Sequence, residues 1–387
     1  MSNSSTLRDV ALSFLRLGTT AFGGPAAHIA MMEEEFVRRR GWLSHEEFLD
    51  MLGATNLIPG PNSTEMALHI GHQRGGWKGL VVGGVCFIIP AMLIVIAAAW
   101  AYVRFGSLPQ FQGVMHGIKP VIVAIILQAL WRLVPVAIKS KFLALVGFIA
   151  VLATMLGAGP LTVLFGAGLV TASTAWIERE RQSETLAALP MPRWPGVVAM
   201  LKSAGAAAAI VPFSLLGLFL FFLKVGAVLY GSGYVLLAFL QTDLLDRLHW
   251  ITQSQLLDAV AVGQVTPGPV FTTATFIGYL LGGVTGATVA TIAIFLPGFI
   301  FVAASRPLIP RIRRSLTAGA FLDGVNVGAL ALLAVVTVQL GRAALIDVAT
   351  VAIAATSVAL LIYSRINSVW MIFAAGMAGL MLTRWLG

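Results

Sequence analysis

NLIPGPNSTE occupies residues 56–65, and QVTPGPVFTT occupies residues 264–273. Both carry Pro-Gly-Pro within apolar surroundings, where proline and glycine break a helix and free backbone groups that lipid cannot satisfy. The two stretches lie 208 residues apart, and the same offset extends outward from them. It pairs Phe14-Leu15-Arg16-Leu17-Gly18 with Phe222-Leu223-Lys224-Val225-Gly226, Phe22-Gly23 with Tyr230-Gly231, Trp42 with Trp250, Asp50 with Asp258 and Asn56 with Gln264. Past one deleted residue, an offset of 207 pairs Gly71, Gly75, Gly76, Gly79, Pro90 and Gly117 with Gly278, Gly282, Gly283, Gly286, Pro297 and Gly324. A register kept over so long a stretch marks an internal duplication.

The medium in which this duplicated chain folds follows from composition. Of its 387 residues, 58% are hydrophobic and 11% charged, against roughly 25% charged in a soluble domain. Apolar runs around residues 75–101, 112–134, 283–304 and 315–341 each suffice for the ~20 residues that a membrane crossing needs. Each half therefore reads as a broken span (about residues 10–37 and 213–247), a re-entrant hairpin with its tip at Pro-Gly-Pro (about 46–72 and 254–281), and four further spans. The expected fold is an all-α integral membrane protein of two homologous repeats, residues 1–177 and 204–387, joined by a polar linker at 178–203 that carries Glu178, Arg179, Glu180, Arg181, Pro190, Pro192, Arg193 and Pro195. About five crossings per repeat is an odd number, so the second repeat enters from the opposite face, an inverted-topology arrangement.

Basic residues test the inversion independently, because cytoplasmic loops collect Lys and Arg. With the linker inside, residues 38–45, 132–141, 305–314 and 363–367 carry eleven Lys and Arg, while their repeat-equivalents carry three, Arg104, Arg247 and Arg342. This places the chain in the inner membrane with a cytoplasmic linker and an outside N-terminus. No removable signal peptide is visible in the first residues. The net charge of +9 is spread over such short clusters, so no nucleic acid is implied. The single cysteine, Cys86, excludes an intrachain disulfide and a paired-cysteine metal or redox site. No metal or cofactor motif is present, and the Glu33-Glu34-Glu35 and Arg38–Arg40 runs read as a solvated edge.

Four breaks fall at repeat-equivalent places: Gly23-Gly24-Pro25, Pro59-Gly60-Pro61, Gly231-Ser232-Gly233 and Pro267-Gly268-Pro269. Pro25, Pro61 and Pro269 suit the first turn of a new half-helix. A helix start carries about half a positive charge and unpaired N–H donors, so several of them converging near the midplane form an anion site. Asn56, Asn62, Ser63 and Thr64 add amide and hydroxyl donors in the first half, and Ser232, Gln264, Thr272 and Thr273 add them in the second. Such neutral donors suit an acceptor-only oxyanion. Arg16 and Lys224 stand at equivalent positions before the breaks. They serve the same site as anion-attracting cations or snorkel to the interface. Glu65, whose counterpart is Thr273, carries a coupling proton or stabilises its helix start. His28 is a second proton candidate, and Asp50, Asp258, Lys119 and Asp323 read as structural pairs.

FLRLGTTAFGGP (14–25), WLSHEEFLDMLGATNLIPGPNSTEMALHIG (42–71), FLKVGAVLYGSG (222–233) and AVGQVTPGPVFTTATFIGYLLGG (261–283) resemble the chromate ion transporters in their long two-domain form. The resemblance spans about residues 10–385 and departs from the pattern at Tyr230-Gly231-Ser232-Gly233, where the first half has FGGP. It implies efflux of chromate, with sulfate as close analogue, conferring chromate resistance, and it points to Gly23, Gly24, Pro25, Asn56, Pro59, Gly60, Pro61, Asn62, Ser63, Thr64 and Glu65. The implied partners are that oxyanion and the lipid bilayer, and a homodimer is compatible with the sequence. Three readings compete: a proton-coupled oxyanion importer on the same scaffold, a membrane-embedded chromate reductase, which the lone cysteine and missing cofactor motif disfavour, and a purely structural membrane protein, which leaves the four paired breaks unexplained.

Overall fold

The computed structural model describes residues 3–183, 212–230, 233–364, 366 and 368–386. Among them there is no strand. The first half runs α1 (Asn3–Thr20), α2 (Gly24–Glu33), a π-helical turn (Glu34–Arg39), α3 (His45–Thr55), α4 (Asn62–Phe105), α5 (Pro109–Ala137), α6 (Lys141–Met155) and α7 (Pro160–Ser183). The second half repeats that order. It comprises α8 (Leu215–Val228), a 3₁₀ turn (Gly233–Val235) leading into α9 (Leu236–Phe239), a π-helical turn (Leu240–Arg247), α10 (Gln253–Val265), a 3₁₀ turn (Val270–Thr272), α11 (Thr273–Arg314), α12 (Leu316–Ala344), α13 (Val348–Tyr363) and α14 (Ser368–Leu386).

Local sequence explains the repeat-equivalent boundaries. Ser44 with Glu47, and Thr252 with Gln255, form reciprocal capping boxes that start α3 and α10, satisfying two orphan N–H groups at each start. α4 and α11 each reverse direction at a Gly-Gly pair, where Gly76 and Gly283 take φ of +58° and +60°. Residues 62–74 thereby fold back on the long helix that follows. A Cβ on Gly71 would stand 2.3 Å from the carbonyl oxygen of Gly79, and one on Gly278 would stand 2.4 Å from that of Gly286. Only glycines permit backbones to approach so closely.

Five described helical stretches, Asn62–Phe105, Pro109–Ala137, Pro160–Glu178, Val270–Ser305 and Leu316–Ala344, are long and apolar enough to cross a membrane. Four others, Lys141–Met155, Leu215–Val228, Val348–Tyr363 and Ser368–Leu382, are apolar but shorter. The sequence-based expectation is about five crossings per half, and four of the expected crossings fall on these shorter helices. One cause is plain in α8, which stops at the break preceding Gly231 and rises only about 21 Å at 1.5 Å per residue. The expected linker also begins later, because α7 continues as helix through 178 to Ser183. Residues 184–203, with Pro190, Pro192, Arg193 and Pro195, lie outside the described residues, as do Gly231, Ser232 and Arg365.

The halves interlock. α1 packs on α4 and α8 on α11, while α5 packs on α13 and α14, and α12 on α6 and α7. The third long helix of each half is thus clasped by the last two helices of the other. Gly117 meets the backbone of Ala375 and Gly379 at one of these crossings, and its repeat-equivalent Gly324 meets Ala167 and Thr171 at the other. Outward faces carry large apolar side chains such as Trp131, Phe148, Leu156, Trp370 and Phe373, far more apolar surface than a soluble monomer exposes.

Candidate functional site

The two Pro-Gly-Pro tips dock reciprocally. Gly60 N–H donates to the carbonyl oxygen of Leu229 at 2.8 Å, and Gly268 N–H donates to that of Ala21 at 2.9 Å. Leu229 and Ala21 are themselves repeat-equivalent, so each tip caps the broken end of the other half's first helix. Gly60 and Gly268 have φ of +139° and +91°, a region that penalises any side chain. A Cβ on Gly268 would lie 2.6 Å from that of Ala91.

Both tips border one cavity of ≈ 550 Å³. Gly23 and Pro25 line it from the first break, Asn56, Pro61, Asn62 and Ser63 from the first tip, and Gln264, Val270 and Phe271 from the second. At the first tip the helical ladder begins with Thr64 and Glu65 donating to Pro61 O, and at the second with Thr272 donating to Pro269 O. The N–H groups of Asn62, Ser63, Val270 and Phe271 therefore precede each ladder at the cavity wall. Asn62 Nδ2 donates to Asn56 Oδ1 at 2.7 Å across the first tip, and Tyr234 OH donates to Gln264 Oε1 at 3.3 Å. Gln264 Nε2 is buried without a hydrogen-bond partner. No Asp or Glu lines the cavity among the described residues, so its wall offers donors and partial positive charge to an acceptor-only ligand.

Some expected residues are elsewhere. Thr272 and Thr273 are buried and donate to their own backbone, at Pro269 O and Val270 O, and neither lines the cavity. Pro59, Gly60, Pro267, Gly268 and Pro269 shape the tips rather than the wall, and Pro61 and Pro269 stand at N-cap positions rather than in the first turn. Gly24 opens α2 with φ of +78° and is likewise not in the wall. Thr64 is 1% exposed with its hydroxyl unpartnered. Glu65 is fully buried behind the first tip with neither carboxylate oxygen hydrogen-bonded. His28 is buried, with Nε2 at 3.1 Å from Ala21 O, its ring edge-on to Phe87 and Nδ1 without a hydrogen-bond partner.

Arg16 and Lys224 do not line this cavity; each faces a carboxylate of its own half's π-helical turn. Lys224 Nζ donates to Asp243. Its equivalent Arg16 acts electrostatically on Glu35, the equivalent of Asp243, and lines a separate surface cavity of ≈ 310 Å³ with Glu34, Glu35 and Arg39. Glu35 is not part of a solvated edge, for it is 8% exposed and bonded by Arg39 at 2.9 Å and Arg40 at 2.6 Å. The structural pairs are Lys119 with Asp258 at 3.1 Å and Lys139 with Asp323 at 2.6 Å.

The polar groups that sequence reasoning missed come from the third long helices. Ile125, Gln128, Ala129, Arg132, Leu133 and Val136 form one stripe of α5 along the cavity, and Asn326, Ala329, Leu330 and Leu333 form the facing stripe of α12. Arg132 belongs to α5 rather than to a loop starting there, since the helix continues through Pro135 to Ala137. Its signal was available, because Gln128 and Arg132 stand one turn apart in an otherwise apolar helix.

Half-helices broken at glycine and proline, converging on a polar cavity within an apolar helical bundle, define a multi-pass membrane transporter. More particularly, residues 8–172 and 216–380 both match the chromate transporter family, and the chain belongs to it. The two matched stretches start 208 residues apart and end 208 residues apart, the same interval as the internal repeat. The chromate transport protein of Cupriavidus metallidurans is 32% identical over 97% of this chain and 93% of its own. The probable chromate transport protein of Synechococcus elongatus is 31% identical over 89% and 87%, and the chromate transport protein of Pseudomonas aeruginosa is 30% identical over 95% and 90%. No solved structure matches the chain.

Proposed function

We propose that this chain is a secondary transporter that exports chromate or a related tetrahedral oxyanion from the cytoplasm by alternating access. The observation that carries the reading is one cavity onto which Gly23, Pro25, Pro61, Asn62, Ser63, Gln264 and Val270 converge, with no lining carboxylate among the described residues. Backbone N–H groups at half-helix starts stabilise negative charge without a matched counter-ion for each oxygen, and binding of that kind stays weak enough for release. The halves, residues 1–177 and 204–387, are taken as inverted repeats around a cytoplasmic linker in the inner membrane. The stretch containing Arg132 and Lys139 is then cytoplasmic, and the cavity, which reaches the surface beside the exposed Arg132, Val136 and Lys139, opens inward to load its substrate.

Everted vesicles carrying the protein should accumulate radiolabelled chromate, with sulfate competing more strongly than phosphate. Accumulation no greater than in vesicles without the protein would sink the proposal.

Glu65 favours a second reading, coupling to protons. It is fully buried, with both oxygens unpartnered, and one oxygen fills the space where Gly60 lacks a side chain. A bare carboxyl wedged behind a moving tip is suited to exchange a proton as the tip shifts. Glu65→Gln should then abolish the dependence of flux on a pH gradient while leaving chromate binding intact. A variant that keeps wild-type pH dependence removes Glu65 from the coupling.

A further inference from the structure

The partial charge at the tips favours a dianion over a monoanion only in part, since backbone N–H groups and amides bond oxygens of either. A full, uncompensated cation in the cavity sharpens that discrimination. Among the described residues two cations line it, Arg132 and Lys139. Lys139 is committed, with Nζ 2.6 Å from Asp323 Oδ1. Arg132 forms no salt bridge with a carboxylate among the described residues, and it stands on the α5 stripe one turn beyond Gln128, with Asn326 in the facing wall. Its repeat-equivalent, by the offset of 207, is Gln339, so the duplication supplies this charge once rather than twice.

We infer that Arg132 is the charge-selecting group of the cavity, giving preference to divalent over monovalent tetrahedral oxyanions. The inference rests on the oxyanion reading above and deepens it. A guanidinium presents a planar fork to two oxygens and keeps its charge when partly desolvated. A single such group in a restricted cavity adds attraction in proportion to ligand charge, whereas the neutral donors fix shape.

Sulfate and perchlorate share the tetrahedral shape and differ in charge, so the test is their relative power to compete with radiolabelled chromate for the full-length protein in liposomes. The wild type should prefer sulfate. Arg132→Gln should lower that preference about tenfold, equivalent to about 1.4 kcal/mol, while Arg132→Lys should keep most of it. Asn326→Asp sets a carboxylate in the same cavity without altering Arg132, and it should also lower the ratio, which covers the case in which Arg132→Gln does not fold. Lys141→Gln removes an exposed charge at the start of α6, off the cavity, and should change nothing. An unaltered ratio in Arg132→Gln or in Asn326→Asp overturns the inference, as does an equal loss in Lys141→Gln, which would assign the effect to general surface charge. A wild-type protein on which neither anion competes and chromate itself does not bind would instead bring down the transport reading as a whole.

Discussion

Gly268 joins three constraints in one residue: φ of +91°, an N–H bonded to Ala21 O and no room for a Cβ beside Ala91. Gly268→Ala should therefore lower stability by about 1–3 kcal/mol, measured as a fall in melting temperature of the detergent-purified protein. Gly41 also has positive φ but nothing within 4 Å of its Cβ position, so Gly41→Ala should lose only the backbone strain, about 1 kcal/mol. Equal losses in the two variants would mean that packing at the second tip contributes nothing. At this scale the sequence discloses what is local. Proline and glycine announce the breaks, and Asn56, Asn62 and Ser63 follow from adjacency to a tip. The pairing of Arg16 and Lys224 is not legible because their carboxylate partners, Glu35 and Asp243, lie nineteen residues further along, and only the fold of the first broken helix brings them back. The bonds of Thr272 and Thr273 to Pro269 O and Val270 O are not legible either, because a hydroxyl in a helix start bonds its own backbone as readily as a ligand.

Elements are joined across the repeat boundary by a few specific contacts. Lys119 on α5 meets Asp258 on α10 at 3.1 Å, and Tyr102 OH on α4 donates to the same carboxylate at 2.9 Å, so the second hairpin is tied to two helices of the first half. Asp258 is 3% exposed. Lys119→Met should cost about 3–5 kcal/mol by leaving a buried charge uncompensated, whereas Lys119→Met with Asp258→Asn should recover most of that loss. A double variant as unstable as the single would argue that the lysine acts through packing alone. The crossing of α12 with α7 is set by Gly324, where a Cβ would stand 2.4 Å from Ala167 O. Gly324→Val should thus force the helices apart and destabilise the protein by about 1–3 kcal/mol or more, read as loss of monodisperse protein on size exclusion. The helices and their duplication were legible because an offset of 208 is visible by inspection. Their interlocking was not, because which glycine faces which partner helix is a tertiary property that spacing along one chain leaves open.

For the whole molecule, interlocking limits how the cavity can change access. With α5 held by α13 and α14, and α12 by α6 and α7, the repeats cannot separate as two rigid halves without breaking both glycine crossings. Each tip is seated on the opposite half by one backbone bond, Gly60 to Leu229 and Gly268 to Ala21, about 1 kcal/mol net apiece, and the second hairpin is held further by Lys119 and Tyr102 on Asp258. Under the proposed alternating access, movement of the tips against an α5 and α12 frame is the route that spares both glycine crossings, with Arg132 in the frame. A dianion released from a negative interior gains roughly 4–5 kcal/mol per 100 mV, so under the proposed function the potential alone makes export downhill. In liposomes loaded with chromate, a negative internal potential imposed by a potassium gradient should accelerate efflux, and collapsing that potential should return the rate to its basal value. Efflux that ignores the potential but follows an imposed pH gradient would transfer the driving role to Glu65 and the proton. Efflux that ignores both and requires an external oxyanion would leave exchange as the mechanism, with the tips moving only when the cavity is occupied.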